Sequence, residues 1–112
     1  MDITINPGKL SGKITVIPSK SQAHRLLICS AFSDKKTTLL CPETNQDIEA
    51  TADCLRAIGA DIARTDTGYT VVPVKELPET AILPCRESGS TLRFMLPIVG
   101  ALGITATFIL EG

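Results

Sequence analysis

Two short stretches of this sequence place hydroxyls, small residues and bases where a helix should begin. The first is Ser19-Lys20-Ser21-Gln22-Ala23-His24-Arg25, directly after Pro18. A proline stops the extended run before it, and Ser19 or Ser21 can cap the helix. A helix start offers free N–H donors and about half a positive charge. Lys20 adds a full charge and Ser21 a hydroxyl donor, while Arg25, four residues after Ser21, projects the same way. Such a set is a preformed seat for a phosphate or carboxylate. The same residues would also serve as an ordinary serine cap beside surface bases.

The second stretch is Arg86-Glu87-Ser88-Gly89-Ser90-Thr91-Leu92-Arg93. Here too a turn of small residues enters a helix, with an arginine one turn in. Gly89 lets an anion approach the backbone. Ser90 supplies a hydroxyl and a free N–H, and Arg93 can grip a carboxylate with two N–H groups. The plainer reading is a capped helix with an exposed arginine. No G-x-x-x-x-G-K-[ST] loop is present. Two such helix starts in one short chain point to a substrate with two negative groups, or to two anionic substrates. His24 could act as a general base. With no partnered carboxylate in the sequence pattern, it reads instead as a surface or packing residue.

The elements that must position these residues follow from periodicity. Ile3 to Ile5 alternates and ends at Pro7-Gly8, and residues 12–18 read as a strand stopped by Pro18. A helix follows from about Gln22 to Phe32, with Ala23, Leu26, Leu27 and Ala31 inward. Thr37 to Leu40 reads as a short strand. Asn45 to Asp47 opens a second helix carrying Ile48, Ala52, Leu55 and Ile58 on one face, closed by Gly59. Asp61 to Arg64 and Tyr69 to Val74 flank a Thr-Asp-Thr-Gly turn, a hairpin signal. Ala81 to Pro84 is strand-like. A third helix follows Ser88, with Leu92, Met95, Leu96 and Val99 inward and a kink expected at Pro97 unless it packs beside a neighbour. Ile104 to Leu110 reads as a last strand. Helices alternating with strands make an α/β layer structure. The chain stops on a strand beside a turn residue, which reads as truncation and leaves an unpaired edge that would favour self-association.

Composition sets outer limits. The chain has 112 residues, 44% of them hydrophobic, enough for a packed core in one small domain. A net charge of −1 argues against a general nucleic-acid binder. Residues 1–36 nevertheless hold six bases against two acids, which mostly reads as solvation. Cys29, Cys41, Cys54 and Cys85 form no C-x-x-C pair, and Cys29 and Cys54 read as small core residues. No secretory signal precedes them, which fits reduced thiols in the cytoplasm. No apolar run approaches a membrane span.

Pro18-Ser19-Lys20-Ser21-x-x-x-Arg25, with Leu26-Leu27 after it, resembles the P-[GS]-S-K-S-x-x-x-R signature of EPSP synthases. Asn45-Gln46-Asp47-Ile48 followed by Leu55-x-x-Ile58-Gly59-Ala60 resembles that family's acidic-helix segment. Ser88-Gly89-Ser90-Thr91-x-Arg93 resembles its N-[AS]-G-T-x-x-R motif. The resemblance runs through the whole chain in order. The sister UDP-GlcNAc enolpyruvyl transferases carry Lys-Asn where this chain has Lys20-Ser21, which ranks them second. A non-catalytic anion-binding module is the reading from another class.

The resemblance implies the enolpyruvyl transferase fold, an inverted α/β prism of repeated βαβαββ units. It divides this single truncated domain into a first unit over about 12–76 and the start of the next over about 80–112. It implies transfer of the carboxyvinyl group of phosphoenolpyruvate to the 5-hydroxyl of shikimate 3-phosphate, with no metal or organic cofactor. Lys20, Gly89, Ser90 and Arg93 would contact phosphoenolpyruvate, with Lys20 in the catalytic role. Ser21 and Arg25 would hold shikimate 3-phosphate, and Asp47 would line the cleft. The partners implied are those two small anions and the remainder of the parent chain, with no nucleic acid and no membrane. The facing domain and the acid/base carboxylates would lie elsewhere, so these residues alone are expected to be inactive. Glu87 stands where many relatives have Asn. It would bring negative charge to the pocket unless it pairs with Lys20 or Arg25.

Overall fold

The computed structural model describes residues 1–112. In chain order its elements are α1 (Lys20–Ala31), β1 (Thr37–Leu40), α2 (Gln46–Ile58), β2 (Asp61–Thr65), β3 (Gly68–Val72), β4 (Thr80–Arg86), α3 (Gly89–Leu102) and β5 (Thr105–Leu110). β1, β3 and β2 form an antiparallel sheet with β3 in the middle, while β4 and β5 pair in parallel across the α3 crossover. The mixed α/β architecture is the expected one.

α2 is the centre of the core. Ile48, Ala52, Leu55 and Ile58 recur at helical spacing, and all four are fully buried. Asn45 caps its start by accepting from Ile48 N at 3.0 Å, and Gly59 ends it in the left-handed conformation. Leu27, Ala31, Tyr69, Val71, Leu83 and Met95 complete the cluster from the neighbouring elements.

The β2–β3 hairpin turns where expected, and Gly68 N bonds Thr65 Oγ1 at 3.0 Å. Gly68 is required by proximity, because a Cβ there would run into the Leu39 carbonyl on β1. Arg64 ties the hairpin to the chain leaving β1, donating to the carbonyls of Cys41 at 2.7 Å, Gly68 at 2.8 Å and Pro42 at 2.8 Å. Just beyond, Tyr69 Oη donates to Glu49 Oε1 at 2.5 Å and meets Thr44 Oγ1 at 2.6 Å. This latch holds the loop that leads into α2, and so sets where Asp47 stands.

Several expectations fail for identifiable reasons. Neither residues 3–5 nor residues 12–18 form a strand. Their apolar side chains alternate, but a strand exists only where a ladder partner lies alongside, and these residues have none. Ile3, Ile5, Leu10, Ile14, Val16 and Ile17 are all exposed. Cys29 is exposed rather than in the core, and Leu26 and Leu96 also face outward. Leu26 and Leu96 sit at the edges of their apolar stripes, while Cys29 lies on the side of α1 away from Ala23, Leu27 and Ala31. The last strand is paired on one side only: β5 lies along β4, and no strand lies along its other edge. Pro97, which is exposed, does not end α3, which stays helical from Gly89 to Leu102.

Candidate functional site: two helix starts joined through a third

Each helix begins with a side-chain cap. Ser19, not Ser21, caps α1, its Oγ accepting from Gln22 N at 3.3 Å. Ser88 caps α3, its Oγ accepting from Thr91 N at 3.2 Å. Neither α1 nor α3 has an acid in its first turn, whereas α2 has Asp47 and Glu49. The positive ends of α1 and α3 are therefore uncompensated by their own sequence, and that of α2 is satisfied.

Lys20 reaches from α1 to α2, with Nζ 2.7 Å from Asp47 Oδ2. Asp47 also contacts α3, since its carbonyl oxygen accepts from Thr91 Oγ1 at 3.3 Å. Two of the predicted site residues, Lys20 and Asp47, thus meet directly, and the second connects to the turn bearing Gly89 and Ser90. Lys20, Asn45, Gln46 and Asp47 line one shallow cleft with Ile17 and Pro18.

Arg25 is held through its guanidinium. Nη1 donates to Ser21 O at 3.1 Å, and the guanidinium lies 5.2 Å from the ring centre of Phe94 on α3. Both predicted members of the shikimate-phosphate pair, Ser21 and Arg25, are exposed and therefore open to a ligand. Arg93 is also exposed. A Cβ on Gly89 would meet no atom within 4 Å, so no protein neighbour requires glycine at that place. Glu87 pairs with neither Lys20 nor Arg25, because Lys20 is held by Asp47 and the ion pairs formed do not include Glu87.

Beneath this surface runs a buried polar chain that the sequence reading missed. His24 Nδ1 is 2.6 Å from Thr51 Oγ1, which is 2.9 Å from Thr91 Oγ1, which is 2.7 Å from Ser88 Oγ. It links α1, α2 and α3, and all four residues are buried. Thr91 Oγ1 has one proton. If it donates that proton to the Asp47 carbonyl, both Ser88 and Thr51 donate to Thr91, and Thr51 must accept from His24 Nδ1. The free Nε2 is then a bare acceptor, and it has no partner. Burial lowers the His24 pKa, with Lys20 and Arg25 acting the same way and Asp47 opposing them. The ring packs on Phe94, with centres 5.8 Å apart. Of the two roles the sequence left for His24, packing is the one observed. The available signal was Thr51: it falls on the apolar stripe of α2 between Ile48 and Leu55, where a hydroxyl needs a buried partner.

A separate apolar cavity of about 230 Å³ lies between α1 and β1–β3, against Leu26, Leu27, Leu40 and Tyr69. It touches none of Lys20, Asp47, Ser90 or Arg93, and shares only Pro18 with the Lys20–Asp47 cleft. No helix is long and apolar enough to cross a membrane.

Comparison with known proteins gives a consistent result. The sequence model of the family EPSP synthase (3-phosphoshikimate 1-carboxyvinyltransferase) matches residues 5–112. Among similar curated proteins, the 3-phosphoshikimate 1-carboxyvinyltransferase of Clostridium kluyveri is 36% identical over 111 residues, covering 98% of this chain and 26% of its own. The protein of the same name from Clostridium botulinum is 39% identical over 116 residues, covering 96% of this chain and 26% of its own. The EPSP synthase structure from Acinetobacter baumannii superposes with a TM-score of 0.70 at 22% identity, over 90% of this chain and 24% of that one. The chain spans about a quarter of the length of the relatives it matches.

Proposed function

The chain belongs to the EPSP synthase family, and from that premise we propose that it supplies part of the substrate shell for carboxyvinyl transfer from phosphoenolpyruvate to the 5-hydroxyl of shikimate 3-phosphate. Lys20, Gly89, Ser90 and Arg93 take phosphoenolpyruvate in this reading, and Ser21 and Arg25 take shikimate 3-phosphate. Asp47 lines the cleft and holds Lys20 until an anion arrives. Residues 12–76 make the first repeat unit and residues 80–112 the start of the next. A cytoplasmic setting accords with four free cysteines.

The observation that carries the reading is the joining of two acid-free helix starts through Asp47. In the reaction, the 5-hydroxyl oxygen adds to C2 of phosphoenolpyruvate while C3 gains a proton, and the tetrahedral adduct then expels phosphate. Charge builds on the phosphate and stays on the carboxylate. A fixed ammonium, a guanidinium and helix-end N–H groups stabilise that charge without reorganising. The set holds no free carboxylate or imidazole to act as the acid/base pair: Asp47 is paired with Lys20, and His24 is buried. We therefore infer that these 112 residues bind anions but do not turn over.

Calorimetry with shikimate 3-phosphate, run beside a phosphate-release assay with both substrates, tests this. Binding that is lost in Lys20→Ala and Arg25→Ala, without phosphate release, is the expected outcome. Turnover by the 112-residue protein would refute the division of labour. Binding that survives both substitutions would refute the site.

A further inference from the structure

Cys54 and Cys85 lie outside the anion-facing cleft, and nothing proposed above uses them. Cys54 is on the inner face of α2 and Cys85 is near the end of β4, and both are fully buried. Their Sγ atoms are 3.8 Å apart, so a shift of about 1.8 Å would bring them to bonding distance.

The backbone directs them together. Along the parallel ladder Pro84 faces Ile109 and Arg86 faces Leu110, so Cys85 occupies an irregularity with no partner of its own. A bulge of this kind re-aims the side chain it carries. Arg86, with φ 53°, is the one non-glycine residue in the left-handed region. Its Nη2 donates to Asp53 Oδ2 at 2.5 Å, and Asp53 also accepts from Arg56 at 2.8 Å. Adjacent residues of the two elements therefore face each other in pairs, 53 with 86 as ions at the rim and 54 with 85 as thiols inside.

We propose that Cys54 and Cys85 are a latent disulfide site, closed by a small-molecule disulfide oxidant, that ties α2 to the strand leading into α3. One protein thiolate attacks a sulfur of the oxidant and expels a small thiolate. The second protein thiolate attacks the protein-bound sulfur and expels the other. Two protein thiols lose two protons and two electrons, and the oxidant's S–S bond becomes two thiols. Burial pushes both protein thiols above the ordinary thiol range, first by desolvation. The reaction therefore waits on local opening, and the pair rests reduced in a reducing compartment. The bridge would hold α2, which carries Asp47, against the start of α3, and it does not depend on which anion the cleft takes.

The test uses the 112-residue chain with Cys29→Ser, which removes the exposed thiol. The native protein is held with oxidised glutathione for several times the slowest amide-exchange lifetime in α2. It is then alkylated in denaturant and mapped by mass spectrometry. The expected product is a Cys54–Cys85 cross-linked peptide, with Cys41 the sole alkylated cysteine and a Tm raised by about 5 °C or more, reversed by dithiothreitol. Alkylated or singly glutathionylated Cys54 and Cys85, a cross-link to Cys41, or a bridge that lowers Tm would each overturn the proposal.

Discussion

Lys20 Nζ lies 2.7 Å from Asp47 Oδ2, and the two belong to different helices. The ammonium at the mouth of α1 is therefore occupied by a carboxylate of its own chain. An arriving anion must share Lys20 with Asp47 or displace it. The pair is partly exposed on both sides, so its contribution to stability is small, while its effect on ligand charge is direct.

Asp47→Asn should accordingly strengthen anion binding. Removing the competing charge should tighten inorganic phosphate roughly three- to tenfold, on the scale of about 1 kcal/mol for an exposed pair. Tm should fall only slightly. Phosphate titration followed by NMR at low salt measures this, and unchanged or weaker binding would remove Asp47 from the role of competitor.

Gly89→Ala should separate fold from ligand. Apart from its two chain neighbours and its own helix backbone, no protein atom lies within 4 Å of the added Cβ, and alanine favours helix over glycine. Tm should therefore hold or rise. Phosphate affinity should drop roughly tenfold, the loss of about one hydrogen bond to a charged group. Equal phosphate affinity in the two proteins would mean that the α3 start is not part of the seat.

The pH dependence of stability should report His24, the only histidine in the chain. Burial lowers its pKa in the folded state below 6.5. Between that lowered value and 6.5 the unfolded chain binds more protons than the folded one, so stability falls as pH falls through this window. It should be level above pH of about 7. Urea denaturation at half-unit steps from pH 7.5 to 5 should show the loss in the wild-type chain and a flatter profile in His24→Asn, whatever that substitution costs at neutral pH.

Thr91→Val should be among the more damaging near-isosteric changes. It leaves Thr51 and Ser88 each short of a buried partner, at a cost of about 1–3 kcal/mol. Thr51→Val should cost a similar amount, because it strips His24 Nδ1 of its partner. The double variant should cost clearly less than the two summed, since both break one chain. Additive losses in urea denaturation would show that the hydroxyls act independently.

Periodicity revealed most of the scaffold. The α2 stripe, the glycine that ends it and the Thr-Asp-Thr-Gly turn are local signals, and local chemistry decides them. Residues 12–18 carried an equally good local pattern and form no strand, because a ladder partner is a property of the rest of the fold. Leu26 and Leu96 missed for a related reason: the stripe locates a helix face but not how wide a part of it is covered, and Cys29 lies off the stripe altogether. At the site, the helix starts were legible because capping residues and bases sit close in sequence. The Lys20–Asp47 pair spans 27 positions and the Thr51–Thr91 contact spans 40, so neither could be read from spacing. Only the presence of a hydroxyl on an otherwise apolar stripe hinted at the second.

The row from His24 through Thr51 and Thr91 to Ser88 has a consequence for alignment. Leucine and isoleucine surfaces tolerate a slide of a fraction of a turn, because dispersion contacts have no preferred partner. Donors and acceptors do, and a slipped helix would strand several of them at once away from water. The row therefore acts as a key that fits at one rotational phase of each helix. The spacing between Lys20 and the α3 mouth is then a fixed dimension, machined from inside the protein and ready before any anion arrives.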